Sequence, residues 1–448
     1  MVRLSSFTLG SMALTAALLM PQAELARAAQ PAANRTLGDP LLRVLVFQGE
    51  QVRLRPALSA AGLRLRDAQG RMLEEFSGQV VLQAEPVDGW LRLSRADAAN
   101  SEQWQAREVW LDAVAGAEES DPGLWIGQRR YRGRVQLRLE AGRVQVVNHV
   151  PLEVYLPSVV GSEMPASWPL EALRAQAVAA RTYALKARKP AALFDLQATT
   201  SSQVYKGVEA ETPSTRAAVE GTRGLVLTYN HALIDAVFHS SSGGNTESSG
   251  DLWPRQVPYL VSVPDYDNAS PVRDWRQPLD QTKLRQAFPE LGGALGIDVL
   301  STTPTGRVRQ ARVVGPSGQL ALTGAQLRSR LGLKSTWVRF ELLPTTATPG
   351  ESTSPTPPPS VAALTLPAPA AASEEAVQLV AVGRGFGHGV GMSQWGALAM
   401  AQRGDTYATI LRHYYRGTEL QPYGELARTA SAERGLGNDA PRTLAASP

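Results

Sequence analysis

Glu163, Arg181, His239 and His388 are the residues whose types and settings could carry chemistry in this chain. Glu163 closes the stretch Glu153-Val-Tyr-Leu-Pro-Ser-Val-Val-Gly-Ser-Glu163, and Met164, Pro165 and Pro169 separate it from Leu170-Glu-Ala-Leu-Arg-Ala-Gln-Ala-Val-Ala-Ala-Arg181-Thr-Tyr183. One carboxylate at the rim of a fold can give and take back a proton if its surroundings raise its pKa. The alternative is a carboxylate that only favours the N-terminus of the helix after it. Arg181 lies amid alanines, where an arginine needs a paired anion, either a ligand or a structural salt-bridge partner. His239 opens a polar loop with Ser240, Ser241 and Ser242. His388 sits in the glycine-rich run Gly383-Arg-Gly-Phe-Gly-His-Gly-Val-Gly-Met-Ser393, just ahead of Gln394 and Trp395. So many glycines let the backbone approach a ligand, and His388, Ser393, Gln394 and Trp395 offer polar and flat surfaces suited to a sugar. A tight turn explains the glycines equally well.

Several other chemistries fit poorly. The strand, glycine-rich turn and helix at Val377–Arg403 imitate a dinucleotide site, but no frame gives G-x-G-x-x-G. No H-E-x-x-H or close ligand pair supports zinc, and no G-x-S-x-G elbow or S-x-x-K pair supports a serine enzyme. The chain has 0 cysteines, which excludes disulfides, thiol nucleophiles and cysteine-held metal. Its formal charge of +4 suits an anionic polymer or a plain solvated surface, and no basic run with interleaved aromatics points to nucleic acid.

The elements that must position these residues read as α+β. The apolar run ending in Val159-Val160 is expected to be a buried strand, with Glu163 at a strand-to-helix turn. Leu173, Ala177, Ala180 and Ala184 set a core-facing helix over 170–188, opened by Pro169 and closed before Pro190. Short alternating stretches make 41–132 a β-rich N-terminal region. Mixed elements follow over 133–343. They include a helix near Asp280–Ala287, a strand at Val308–Val314 and a helix over Leu322–Leu331. Residues 344–374, rich in Pro, Thr, Ser and Ala, read as a low-complexity linker. The domain resumes over 375–420 with a strand at Val377–Val382 and helices at Gln394–Arg403 and Tyr407–Tyr414, and 421–448 reads as a disordered tail. Arg3, the apolar stretch Phe7–Met20 and Ala26-Arg27-Ala28 read as an export signal over 1–28, cleaved or kept as an anchor. The expected location is therefore the periplasm or cell envelope, with no other membrane span.

At these residues the chain resembles the stage II sporulation protein D family, which includes the amidase-enhancer LytB proteins. Six segments carry the resemblance in order: Tyr155–Pro165, Leu173–Tyr183, Phe238–Glu247, Thr305–Arg307, Leu327–Leu333 and Gly385–Gly396. It does not reach the region before about Gly133, an extra envelope-binding module on this reading. The resemblance implies a lytic transglycosylase that cuts peptidoglycan glycan strands, favouring strands stripped of stem peptides. It implies Glu163 as catalytic acid/base, Arg181 as a catalytic partner, and His239 with Ser240 and Ser241 in the site loop. His388, Ser393 and Gln394 are the further candidates for substrate contacts. Some relatives hold zinc near that loop with help from cysteines; lacking them, this chain is expected to use no metal or cofactor. Two rival readings remain open. One is a non-catalytic glycan-binding enhancer of an N-acetylmuramoyl-L-alanine amidase. The other is a hydrolase in which Glu163 pairs with Asp265, Asp267 or Glu153.

Overall fold

The computed structural model describes residues 39–96, 103–117, 121–344 and 377–426. The export signal over 1–28 and the segment 345–376 lie outside the described residues, as does 427–448. The strand Glu419–Pro422 and a helical turn at 423–426 occupy the first residues assigned to a disordered tail.

Two sheets build the N-terminal half. One has seven strands, in the order Leu196–Gln197, Leu41–Gly49, Arg143–Pro151, Arg134–Glu140, Glu108–Val114, Gly62–Asp67 and Met72–Ser77. The other has six, in the order Arg129–Tyr131, Leu124–Ile126, Val52–Pro56, Leu82–Val87, Trp90–Arg95 and Gln103–Ala106. Alternation sends Leu42, Val44, Leu54, Leu63 and Leu82 inward to one apolar core. That core continues without a break into the helices that follow, so the expected boundary at 133 is not a break in packing. Leu41 pairs with Pro151 across it, and Val44 pairs in parallel with Leu196. Asp195 fixes this second junction by accepting from the Arg43 backbone N–H at 2.9 Å and from its Nη2 at 2.8 Å.

The largest departure from the sequence reading is at Leu152–Glu163, which is a helix, α1, rather than a strand. Five of its buried residues, Leu152, Tyr155, Leu156, Val159 and Val160, fall at i, i+3, i+4, i+7 and i+8, the stripe of a helix laid on a core, and Pro157 and Ser158 beside them are buried as well. The two valines favour a strand and Pro157 disfavours a helix interior, and the burial of that stripe overrides them. Glu163 is therefore the last residue of α1. It does not cap the next helix, α2 (Leu170–Lys186), whose N-cap is Pro169. Helix α3 (Pro213–Glu220) packs against both and carries a capping box at Thr212.

A second core is set by Trp275, Leu284, Phe288, Val308, Leu327 and Leu331. It belongs to the sheet Asp274–Leu279, Val377–Arg384, Trp337–Pro344 and to the sheet Gly296–Thr302, Val308–Gly315, Gly318–Thr323. The short helix α4 (Ser249–Leu252) precedes these strands, and α5 (Gln281–Ala287) and α6 (Gly324–Leu331) pack among them. Pro344 and Val377 are register partners in adjacent antiparallel strands. The Pro/Thr-rich segment thus leaves and re-enters one sheet at a single point instead of joining two domains. Helices α7 (Gln394–Gln402) and α8 (Tyr407–Tyr414) return the chain to the first core.

Candidate active site

A cavity of about 610 Å³ opens beside the end of α1, and Glu163 is the one carboxylate among the described residues that line it. Its Oε1 accepts from the Val204 N–H at 2.9 Å and its Oε2 from Gln394 Nε2 at 3.1 Å. Burial pushes its pKa above the ordinary carboxyl value, against the lowering effect of those two donors and of Lys206. The last turn of a helix, where the dipole disfavours negative charge, acts in the same direction.

Gln394 reaches Glu163 because two chain segments far apart in sequence are stitched together. Phe238 and His239 pair in parallel with Met392 and Ser393, and Ser241 bridges Phe386. Ser393 is the N-cap of α7, accepting from the Gly396 N–H at 3.2 Å, which aims Gln394 at the cavity. Ser393 itself is fully buried and does not line the cavity, so the expectation that it touches substrate is corrected to a capping role. Ser241 is likewise buried, its hydroxyl donating to Asp267, and is no substrate contact; Ser240 does line the cavity.

Both histidines line the cavity, but neither is an acid at neutral pH. His239 Nδ1–H donates to the Val390 carbonyl at 3.2 Å and leaves a buried, unpartnered Nε2; burial holds its pKa well below the usual value. His388 accepts the Val390 N–H on Nδ1 at 3.1 Å and donates Nε2–H to the Phe238 carbonyl at 3.0 Å; burial lowers its pKa to about 4. With both ring nitrogens engaged by backbone, His388 clasps two loops and presents a ring face. The zinc of some relatives does not fit these residues: no three His, Cys, Asp or Glu side chains converge among the described residues.

Arg181 is corrected outright. Its guanidinium is fully buried, away from the cavity, and forms a bidentate pair with Glu153 at 2.7 and 2.8 Å. It donates further to the Leu225 and Val219 carbonyls at 3.2 and 3.3 Å, joining α1, α2 and α3 to the following strand. The same pair removes Glu153 as a partner for Glu163, since ten residues of helix separate them by about 15 Å. Asp265 is bound by Tyr414 at 2.7 Å and Asp267 by the Gly243 N–H at 2.7 Å, and neither lines the cavity.

Tyr183, Ser202, Trp253, Arg328 and Phe386 line the cavity as well, and sequence reasoning did not single them out as site residues. Tyr183, Arg328 and Phe386 stood inside the quoted segments, but their types alone did not separate them from packing residues. Gly387 shows what the glycine run is for. At φ +115° a Cβ there would lie 2.6 Å from His239 Cβ, so only glycine lets the two loops touch. Gly387→Ala is expected to lower stability by about 1–3 kcal/mol and to weaken ligand binding, read from denaturant midpoints and titration. An unchanged midpoint would contradict this packing account.

The comparisons bear on this geometry. The SpoIID family model, described as Stage II sporulation protein, matches residues 140–229, the span of α1, α2 and α3. Stage II sporulation protein D of Bacillus subtilis (strain 168) is 33% identical over 302 residues, covering 62% of this chain and 76% of the relative. This chain belongs to the SpoIID family. The same protein from Bacillus amyloliquefaciens is 33% identical over 303 residues, with 75% of it covered. A protein named amidase enhancer, also from Bacillus subtilis (strain 168), is 33% identical over 293 residues; this SpoIID-family chain spans 40% of its length. No helix among the described residues is long and apolar enough to cross a membrane.

Proposed function

We propose that this protein remodels peptidoglycan at the cell envelope as a lytic transglycosylase, with Glu163 as its acid/base. The observation that supports this best is a lone carboxylate of raised pKa in a cavity whose walls also carry aromatic rings, hydroxyls, the Gln394 amide and the Arg328 guanidinium. Protonated Glu163 donates to the glycosidic oxygen as its bond to C1 breaks. The muramic acid 6-hydroxyl oxygen then attacks C1 and gives its proton to the Glu163 carboxylate, leaving a 1,6-anhydro end and restoring the acid. The internal nucleophile replaces the second carboxylate of a hydrolase, and held geometry supplies much of the rate. Gln394 and the Val204 N–H steady the carboxylate once it has lost its proton.

Mass spectrometry of peptide-free strands after incubation tests this reading. Anhydro ends are expected; reducing ends would mean hydrolysis. Intact strands would favour the second reading, a glycan-binding enhancer of an amidase, which the name of one 33% identical relative supports.

Two pH effects follow from the raised pKa of Glu163. Cleavage that needs the protonated acid persists above the ordinary carboxyl range and falls as pH rises through the shifted value. Gln394→Ala removes a donor to the ionised form and is expected to move that limb to still higher pH. A carboxyl whose pKa is higher folded than unfolded contributes stability below its unfolded value and loses it as pH rises through the folded one. Glu163→Gln should therefore gain thermal stability relative to the parent as pH rises from the ordinary carboxyl value through the raised one. A constant difference in melting temperature across that window would refute the shift.

A further inference from the structure

Beyond the Glu163 cavity the cleft runs on into a second cavity of about 710 Å³. Trp253, Arg328 and His388 line both and form the waist between them. The second cavity is built from the strand Val308–Gly315 and from both ends of α6, so it belongs to the smaller core rather than to the span the family model matches. Cavities of this size each take several sugar-sized groups.

Charge at the waist is unbalanced. The second cavity holds one carboxylate, Asp251, and it is already paired with Arg309. Arg328 has no carboxylate partner among the described residues. Its one hydrogen bond there runs from Nε to the Leu333 carbonyl at 3.2 Å, which fixes the side chain across the C-terminus of α6 and leaves both terminal nitrogens unengaged. A half-buried guanidinium has lost part of its hydration, and an uncharged polymer would leave that cost uncompensated. The fork of an anchored arginine matches a carboxylate two N–H groups at a time.

We propose that Arg328 binds a carboxylate carried on the glycan beside the bond whose oxygen Glu163 protonates, making acidic strands the preferred ligand and the second cavity the seat of the continuing chain. This rests on the glycan reading above. Trp253 offers a flat apolar wall to the sugar at the same waist. The carboxylate belongs either to the sugar's own lactyl ether or to a peptide attached to it.

The test is calorimetric binding to the full chain carrying Glu163→Gln, which separates affinity from turnover. Three ligands are compared: peptide-free strands with free lactyl carboxylates, the same strands converted to lactyl methylamides, and peptide-bearing strands. A charged hydrogen-bonded pair predicts roughly 10- to 100-fold tighter binding of the free acid than of the amide. Arg328→Gln should bring the acid down to the level of the amide, and Arg328→Lys should keep part of the preference, which a fault in the α6 cap would not. Tight, Arg328-dependent binding of peptide-bearing strands would assign the carboxylate to the peptide and still support the pairing. Equal affinity for acid and amide, or an equal fall for both in Arg328→Gln, would overturn the proposal alone. No binding of any strand would overturn the glycan reading and the proposal with it.

Discussion

Replacing Glu163 by glutamine is expected to lower strand cleavage by about two to four orders of magnitude while glycan affinity stays near the parent value. Glutamine keeps the volume of the side chain and can still accept from Val204 N–H, so the wall of the cavity is preserved. What is lost is the proton. Among the described residues nothing else in the cavity can replace it: His239 and His388 are held neutral, and no second carboxylate lines it. The measurement is the rate of appearance of anhydro ends, beside a binding titration of the same variant. Residual cleavage within a factor of a few of the parent would remove Glu163 from the chemistry. A parallel loss of binding would instead mean that the substitution had disturbed the cavity.

Arg181→Ala should act on stability. It strands the Glu153 carboxylate, whose side chain is only 7% exposed, beside α2 without its cation. Removing one member of a buried pair costs about 3–5 kcal/mol because the remaining charge is desolvated and uncompensated. The expected result is a large fall in denaturant midpoint. Replacing both residues at once, Arg181→Met with Glu153→Leu, should recover much of the loss, since no charge is then left buried. Well below its unfolding temperature, Arg181→Ala should still bind glycan. A fall in cleavage with no change in midpoint would contradict the structural role and restore a part for Arg181 at the reacting centre.

The difference between these two residues shows what was legible in the sequence. Glu163 was found through its place between an apolar run and a proline-broken helix start, even though the run was read with the wrong periodicity. A short apolar run rich in valine suits a buried strand or a buried helix, and the three- and four-residue spacing of Tyr155, Leu156, Val159 and Val160, extended one turn back by Leu152, is what the helix uses. Arg181 was recognised as needing an anion, but sequence spacing cannot say which. The partner lies 28 residues away, on the previous helix. Ser241 and Ser393 are not cavity residues, and His388 reaches the cavity only with its ring face, for a shared reason. A hydroxyl or imidazole beside glycines suits a ligand and a backbone clasp equally, and the parallel pairing of 238–239 with 392–393 turned these three toward the clasp.

The sequence by itself determined the α+β class, the helix that follows Glu163 and the family, and it singled out Glu163 as the candidate acid. Those rest on local periodicity, capping chemistry and ordered motifs, all of which are written along the chain. Tertiary structure alone decided that Gln394 meets Glu163 across 231 residues, that Arg181 is spent on Glu153, and that the N-terminal strands share one core with the site. It alone placed Arg328 at the waist of a cleft with two chambers. These depend on which surfaces pack and which charges lose water together, and neither is a property of any one stretch of chain.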